Sequence, residues 1–202
     1  MVANSRWPMA NAIQQMGAIV NLGGKATVWQ PASQTLTRPN NATAYAAGNA
    51  IGSSASGGIV YTFPGFFWTP GCSGILIGLR YVASVASIAT SNMGTVLAHL
   101  YLGLPSAVGT LVDGNMYPTK IADDPLKLGI VQFSNWYQGG TGSDMIESYG
   151  QTMISQQHII GLQRAGGNAA DDTLYVVPVA NGAFTPIANA VNYMYASAVM
   201  DG

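Results

Sequence analysis

Along most of the chain the apolar positions fall in short runs, bounded by Gly, Pro, Asn and Asp. That is the pattern of strands and turns rather than of helices. Ala26-Thr27-Val28-Trp29 and Thr35-Leu36-Thr37 predict two short strands with Pro31 between them. Ile59-Val60-Tyr61-Thr62-Phe63 predicts a third, stopped by Pro64-Gly65. Residues 74–82 are apolar on both alternations, as expected of a central strand covered on both faces. Residues 95–102, 126–133, 173–179 and 190–196 predict four more strands. Pro178 puts the 173–179 strand at a sheet edge, because proline cannot donate to a ladder. Asn181-Gly182 reads as a hairpin turn. Residues 153–160 fit a strand or a helix, with strand preferred, and 52–58, 138–144 and 166–172 are loops by composition. The sum is an all-β protein, an antiparallel β-sandwich of jelly-roll-like kind over residues 25–202.

Residues 1–24 follow a different period. Ser5 can cap a helix whose first turn holds Pro8. Met9, Ile13, Met16 and Val20 then recur at helical spacing, with Trp7 at the start and Gly23-Gly24 at the end. Gly17 weakens the pattern. This N-terminal arm either packs on its own sandwich or docks on a neighbouring subunit. The second reading makes Trp7, Met9, Ile13 and Met16 partner-binding residues. Phe66-Phe67-Trp68 is the densest aromatic cluster, and it is expected in the core or at a trimer interface.

The stretch from Leu36 to Gly52 organises the rest. Pro39 ends a strand and holds Arg38 extended. Asn40-Asn41 and Gly48-Asn49 are turns. Tyr45 is the one large side chain among Ala and Thr, and so the expected anchor.

Composition changes the picture in one respect. Of 202 residues only 7% are charged, against about 25% in an average soluble protein. A free monomer with so little charge has little to oppose association, so much of the surface is expected to face protein. A net charge of −1 argues against nucleic acid as a partner. The single cysteine, Cys72, allows no intrachain disulfide. No apolar run is long enough to cross a membrane as a helix, and no secretory signal is expected.

Thr37-Arg38-Pro39-Asn40, followed by Thr43-Ala44-Tyr45-Ala46-Ala47-Gly48-Asn49, resembles the opening of a family of tailed-bacteriophage virion proteins, spelled TRPxDTTAYAxGD. Residues 74–80, 98–102, 121–126, 128–133 and 174–186 are similar to later segments of that family, in the same order. The segments are short, and the order carries the likeness. Asp124 stands where the family has Asn, and residues 1–24 and 134–170 have no clear counterpart. The resemblance implies a β-sandwich structural protein of the virion, a cement or decoration protein on the capsid surface. Its expected partners are the major capsid protein and further copies of itself, as a homotrimer, with assembly in the host cytoplasm. The alternative is a receptor- or carbohydrate-binding domain of a tail fibre or spike, with Trp68, Trp136 and Tyr137 as a sugar platform.

No motif points to catalysis. The chain has no Gly-x-Ser-x-Gly elbow, no Walker loop and no Gly-x-Gly-x-x-Gly after a strand. His99 lies mid-strand among apolar residues and reads as a satisfied structural histidine. His158 has no carboxylate near it in sequence. Asp123-Asp124 and Asp171-Asp172 lack the spacing of a calcium loop and read as turns. No enzymatic activity, cofactor or metal is therefore expected.

Overall fold

The computed structural model describes residues 27–29, 33–67, 73–84, 93–138, 145–152, 160–163 and 173–200. Twelve strands run through them: β1 (Thr27–Trp29), β2 (Gln34–Thr37), β3 (Tyr61–Phe63), β4 (Ser73–Ala83), β5 (Val96–Tyr101), β6 (Lys127–Phe133), β7 (Tyr137–Gln138), β8 (Ile146–Tyr149), β9 (Gln151–Thr152), β10 (Ile160–Gln163), β11 (Leu174–Ala180) and β12 (Val191–Met200). They form two antiparallel sheets, so the expected all-β sandwich is the fold. The larger has the path β1-β12-β4-β8-β7, with β2 also on β12 and β10 also on β4. The smaller has the order β3-β11-β5-β6-β9.

The period-2 alternation does the work. In β12, Asn192, Met194, Ala196 and Ala198 are buried, while the odd-numbered positions between them are not. Side chains from both sheets meet in one core that includes Tyr61, Phe63, Leu76, Tyr81, Leu100, Phe133, Val176 and Met194. Aromatic edges hold its centre: Tyr81 lies 6.2 Å from Tyr61, 5.6 Å from Phe133 and 5.7 Å from Trp136, between ring centroids. At Gly150 the chain passes from β8 in one sheet to β9 in the other. A Cβ there would sit 2.2 Å from Cγ1 of Val131, so the crossing has no room for a side chain.

Four expectations need correction. β3 starts at Tyr61, because Gly57 takes φ 76° and the chain is still turning through Ile59. β4 is central but covered on both faces only near Tyr81 and Val82; Ile77 is 50% exposed. Ile77 is the extra residue of a bulge, since Ser197 pairs with Gly78 and Ala198 with Leu76. Pro178 is not on an edge strand, because β11 lies between β3 and β5. Its carbonyl points away from β5 and accepts from the Ile51 N–H at 2.9 Å, so its ring nitrogen removes no bond from the β5 ladder. Asn181-Gly182 opens no hairpin: it leads from β11 in the small sheet to β12 in the large one. The Asn181 N–H instead extends the β11–β5 side by bonding the Thr95 carbonyl at 2.8 Å.

His99 on β5 is buried, and its ring meets Tyr117 edge-on at 5.7 Å. It is not the satisfied histidine expected, since Nδ1 has no hydrogen-bond partner. Burial, with a smaller contribution from the Lys127 charge, lowers its pKa from 6.5 to about 4. The imidazole is therefore neutral in the folded protein at pH 5, where the unfolded chain is protonated. Stability from this residue is full above pH 6.5 and is lost as pH falls towards 4. The loss is expected to reach about 3 kcal/mol. Urea midpoints across that window check it: the slope should flatten in His99→Gln, and an unchanged slope would refute the assignment.

Candidate functional site

Two clusters of polar side chains stand out, one buried and one exposed. The buried one grows out of the Arg38–Tyr45 stretch. Arg38 continues the β2 edge by donating its N–H to the Ala190 carbonyl at 3.0 Å. Pro39 then ends the ladder, and the Asn40-Asn41 turn follows, with the Thr43 N–H bonding Oδ1 of Asn41. Tyr45 is buried, as expected of the anchor, and bridges to Phe184. The turn brings the Tyr45 hydroxyl back to Arg38, whose Nε donates to it at 2.6 Å. Arg38 is only 3% exposed. Its other nitrogens donate to the Ile187 carbonyl at 2.7 Å and to Oδ2 of Asp113 at 3.0 Å. Oδ1 of Asp113 accepts from the Tyr45 hydroxyl and from the Gly52 N–H. Burial, then the Asp113 charge, raises the Tyr45 pKa well above its ordinary value against the pull of Arg38. The charges are matched, and both Asp113 oxygens are engaged. The cluster ties the 36–52 stretch to Asp113 and to Ile187, three segments far apart in the chain.

The exposed cluster lies on the outer face of the large sheet. Tyr149 on β8, Arg80 on β4 and Tyr195 on β12 are directly opposite one another in the register and so share that face. The Arg80 guanidinium lies 4.3 Å from the centroid of the Tyr195 ring. It pairs with Glu147 at 3.4 Å. Burial pulls the Arg80 pKa down, but the Tyr149 and Tyr195 hydroxyls and the Glu147 charge outweigh it, so the net shift is upward. Nε of Arg80 is buried and has no hydrogen-bond partner. Beside this row the β4 bulge sets Gly78 opposite Ser197. With no side chain on Gly78, a hollow of about 360 Å³ opens between Tyr149, Arg80, Tyr195 and Ser197.

Of the residues assigned from sequence to a partner, the structure describes Phe66 and Phe67, and neither is part of these two clusters. Phe66 and Phe67 are fully buried in the core and stack edge-on at 5.2 Å, with Phe66 also against Phe63. They thus lie in the core, one of the two places expected of this aromatic cluster. Trp7, Met9, Ile13, Met16 and Trp68 lie outside the described residues, as do Cys72, His158, Asp171 and Asp172. Trp136 is no open platform beside Tyr137: its ring packs on Tyr81, and its Nε1 donates to the Gly94 carbonyl at 3.1 Å. Asp123 is buried and accepts from the backbone N–H and hydroxyl of Ser106 at 3.0 and 3.1 Å, which fixes a 3₁₀ segment, Ile121–Leu126. Among the described residues no cluster of His, Cys, Asp and Glu could hold a metal ion, and no helix is long and apolar enough to cross a membrane.

Sequence reasoning missed Arg80, Tyr149 and Tyr195. A signal was present in β12, where Tyr193 and Tyr195 alternate with Asn192, Met194 and Ala196 and must share one face. No protein-family model and no curated protein matches the chain.

Proposed function

We propose that this protein is a cement or decoration protein of a bacteriophage capsid, which binds the assembled head shell and stabilises it as a trimer. One observation supports the reading most. On a sandwich whose core is already filled, Leu104, Met116, Ile121, Tyr137, Met145 and Tyr149 remain exposed, with Ile121 at 93%. In a chain with 7% charged residues such a surface suits contact with protein more than with water. The ordered segments resembling phage virion proteins point the same way. The mechanism is linkage: a ligand that binds the shell but not free coat subunits stabilises the shell by mass action. A trimer would match local three-fold points of an icosahedral lattice.

Shells stripped of the protein provide the test. Added protein should bind them saturably, in a copy number comparable to the coat protein, and raise the temperature at which they open. Free coat subunits should not bind. Deleting residues 1–24 should lower shell affinity while the sandwich melts almost as before, if that segment clasps a neighbour. A protein present in only a few copies per particle, and inert towards shells, would instead support the second reading, a receptor- or carbohydrate-binding domain of a tail fibre or spike. The exposed tyrosines on the large sheet favour keeping that reading in view.

A further inference from the structure

We propose that the hollow beside Arg80 is a binding site for a neutral saccharide, whether the domain sits on the head or the tail. Its volume, about 360 Å³, lies within the range of small-ligand clefts, roughly 300–1,000 Å³. Its walls carry the two kinds of surface that a pyranose ring presents in reverse. Tyr149, 56% exposed, brings an aromatic ring to the C–H side of a sugar, and Tyr195 lines the hollow with one ring face taken by the Arg80 guanidinium. Ser197, the two phenol hydroxyls and the Arg80 guanidinium offer hydrogen bonds to its hydroxyls. The bulge and Gly78 create the space, and a Cβ on Gly78 would project to within 2.8 Å of Oγ of Ser197.

Charge selects the ligand. Arg80 is already paired with Glu147 at 3.4 Å, so the site carries no net positive charge to attract a phosphate or a carboxylate. The Arg80 side chain lines the hollow and is still 35% exposed, while its Nε is buried out of a ligand's reach. A neutral hydroxyl can accept from the exposed part of the guanidinium without bringing a negative charge close to Glu147. The stack on Tyr195 holds the guanidinium plane in place before the ligand arrives. A polyhydroxylated ligand with an apolar face fits this set better than a peptide, which would bring no dense array of hydroxyls.

Saturation-transfer NMR and tyrosine fluorescence on the full chain test the site, with maltotriose, cellotriose and chitotriose as neutral probes and an oligouronate as the acidic one. At least one neutral trisaccharide should bind saturably, more tightly than the oligouronate. Tyr149→Ala, at a residue already 56% exposed, should keep the fold and lose about tenfold in affinity. Arg80→Gln should also weaken binding, whereas Met116→Ala, on a different surface, should not. Absence of saturable binding by all three neutral probes overturns the proposal. So does preference for the oligouronate, or binding that neither Tyr149→Ala nor Arg80→Gln alters. These outcomes leave the shell-binding reading intact, because that reading is judged on stripped shells and not on sugars.

Discussion

Asp113→Ala is expected to cost about 3–5 kcal/mol of folding stability, because it strands a buried cation. Arg38 reaches the interior with its charge matched by Oδ2 of Asp113 at 3.0 Å. Removing the carboxylate leaves the guanidinium in a place that water does not reach. It also removes the acceptor of the Tyr45 hydroxyl and of the Gly52 N–H. Each orphaned neutral donor adds about 1–3 kcal/mol of its own, although the terms overlap. Against a total stability of about 5–15 kcal/mol for a domain, this is a large share. Urea unfolding at constant m measures it. Arg38→Met should be less harmful in the Asp113→Leu background than alone, since replacing a whole buried pair by apolar groups is often neutral. If Asp113→Ala shifts the midpoint no more than a surface substitution does, the tie is not holding the fold.

Much of the fold was legible because strands carry their own period. β5, β6, β11 and β12 lie within a residue or a few of the runs predicted from alternation and β-branched content. Local chemistry also identified Arg38, Pro39 and Tyr45 as a unit. What it could not supply was the partner, because Asp113 is 75 residues from Arg38 and sits in a connection with no pattern of its own. The mistaken readings share that cause. The missing donor of Pro178 argues for an edge strand, yet its consequence depends on the segment at Ile51, reached from far upstream. Asn181-Gly182 has hairpin spelling, but which sheet the next strand joins is decided by the apolar face of β12. The exposed cluster was harder still. Tyr149, Arg80 and Tyr195 come from three strands, and only the register makes them neighbours.

Gly52→Ala is expected to be the most damaging of the single-methyl additions in the described residues that lead into the tie. An added Cβ would stand 2.2 Å from the carbonyl oxygen of Gly58 and 2.7 Å from Cα of Ile59. Those are backbone atoms and cannot rotate away. The loop from Ser53 to Gly58 is closed by a hydrogen bond from the Ser53 N–H to the same Gly58 carbonyl, at 2.7 Å. To admit the methyl, the loop must open, and the Gly52 N–H must move off Oδ1 of Asp113, now 2.8 Å away. Overpacking of this kind costs about 1–3 kcal/mol, and the displaced hydrogen bond adds about 1 kcal/mol. Gly109→Ala is the matched control. Nothing lies within 4 Å of its added Cβ, and its φ is not in the left-handed region. There the methyl only narrows the unfolded ensemble, a gain of about 0.4–1 kcal/mol. The two variants should therefore move the melting temperature in opposite directions. Equal shifts would mean that the contact between the 52–58 loop and the Arg38–Asp113 tie is looser than the geometry states.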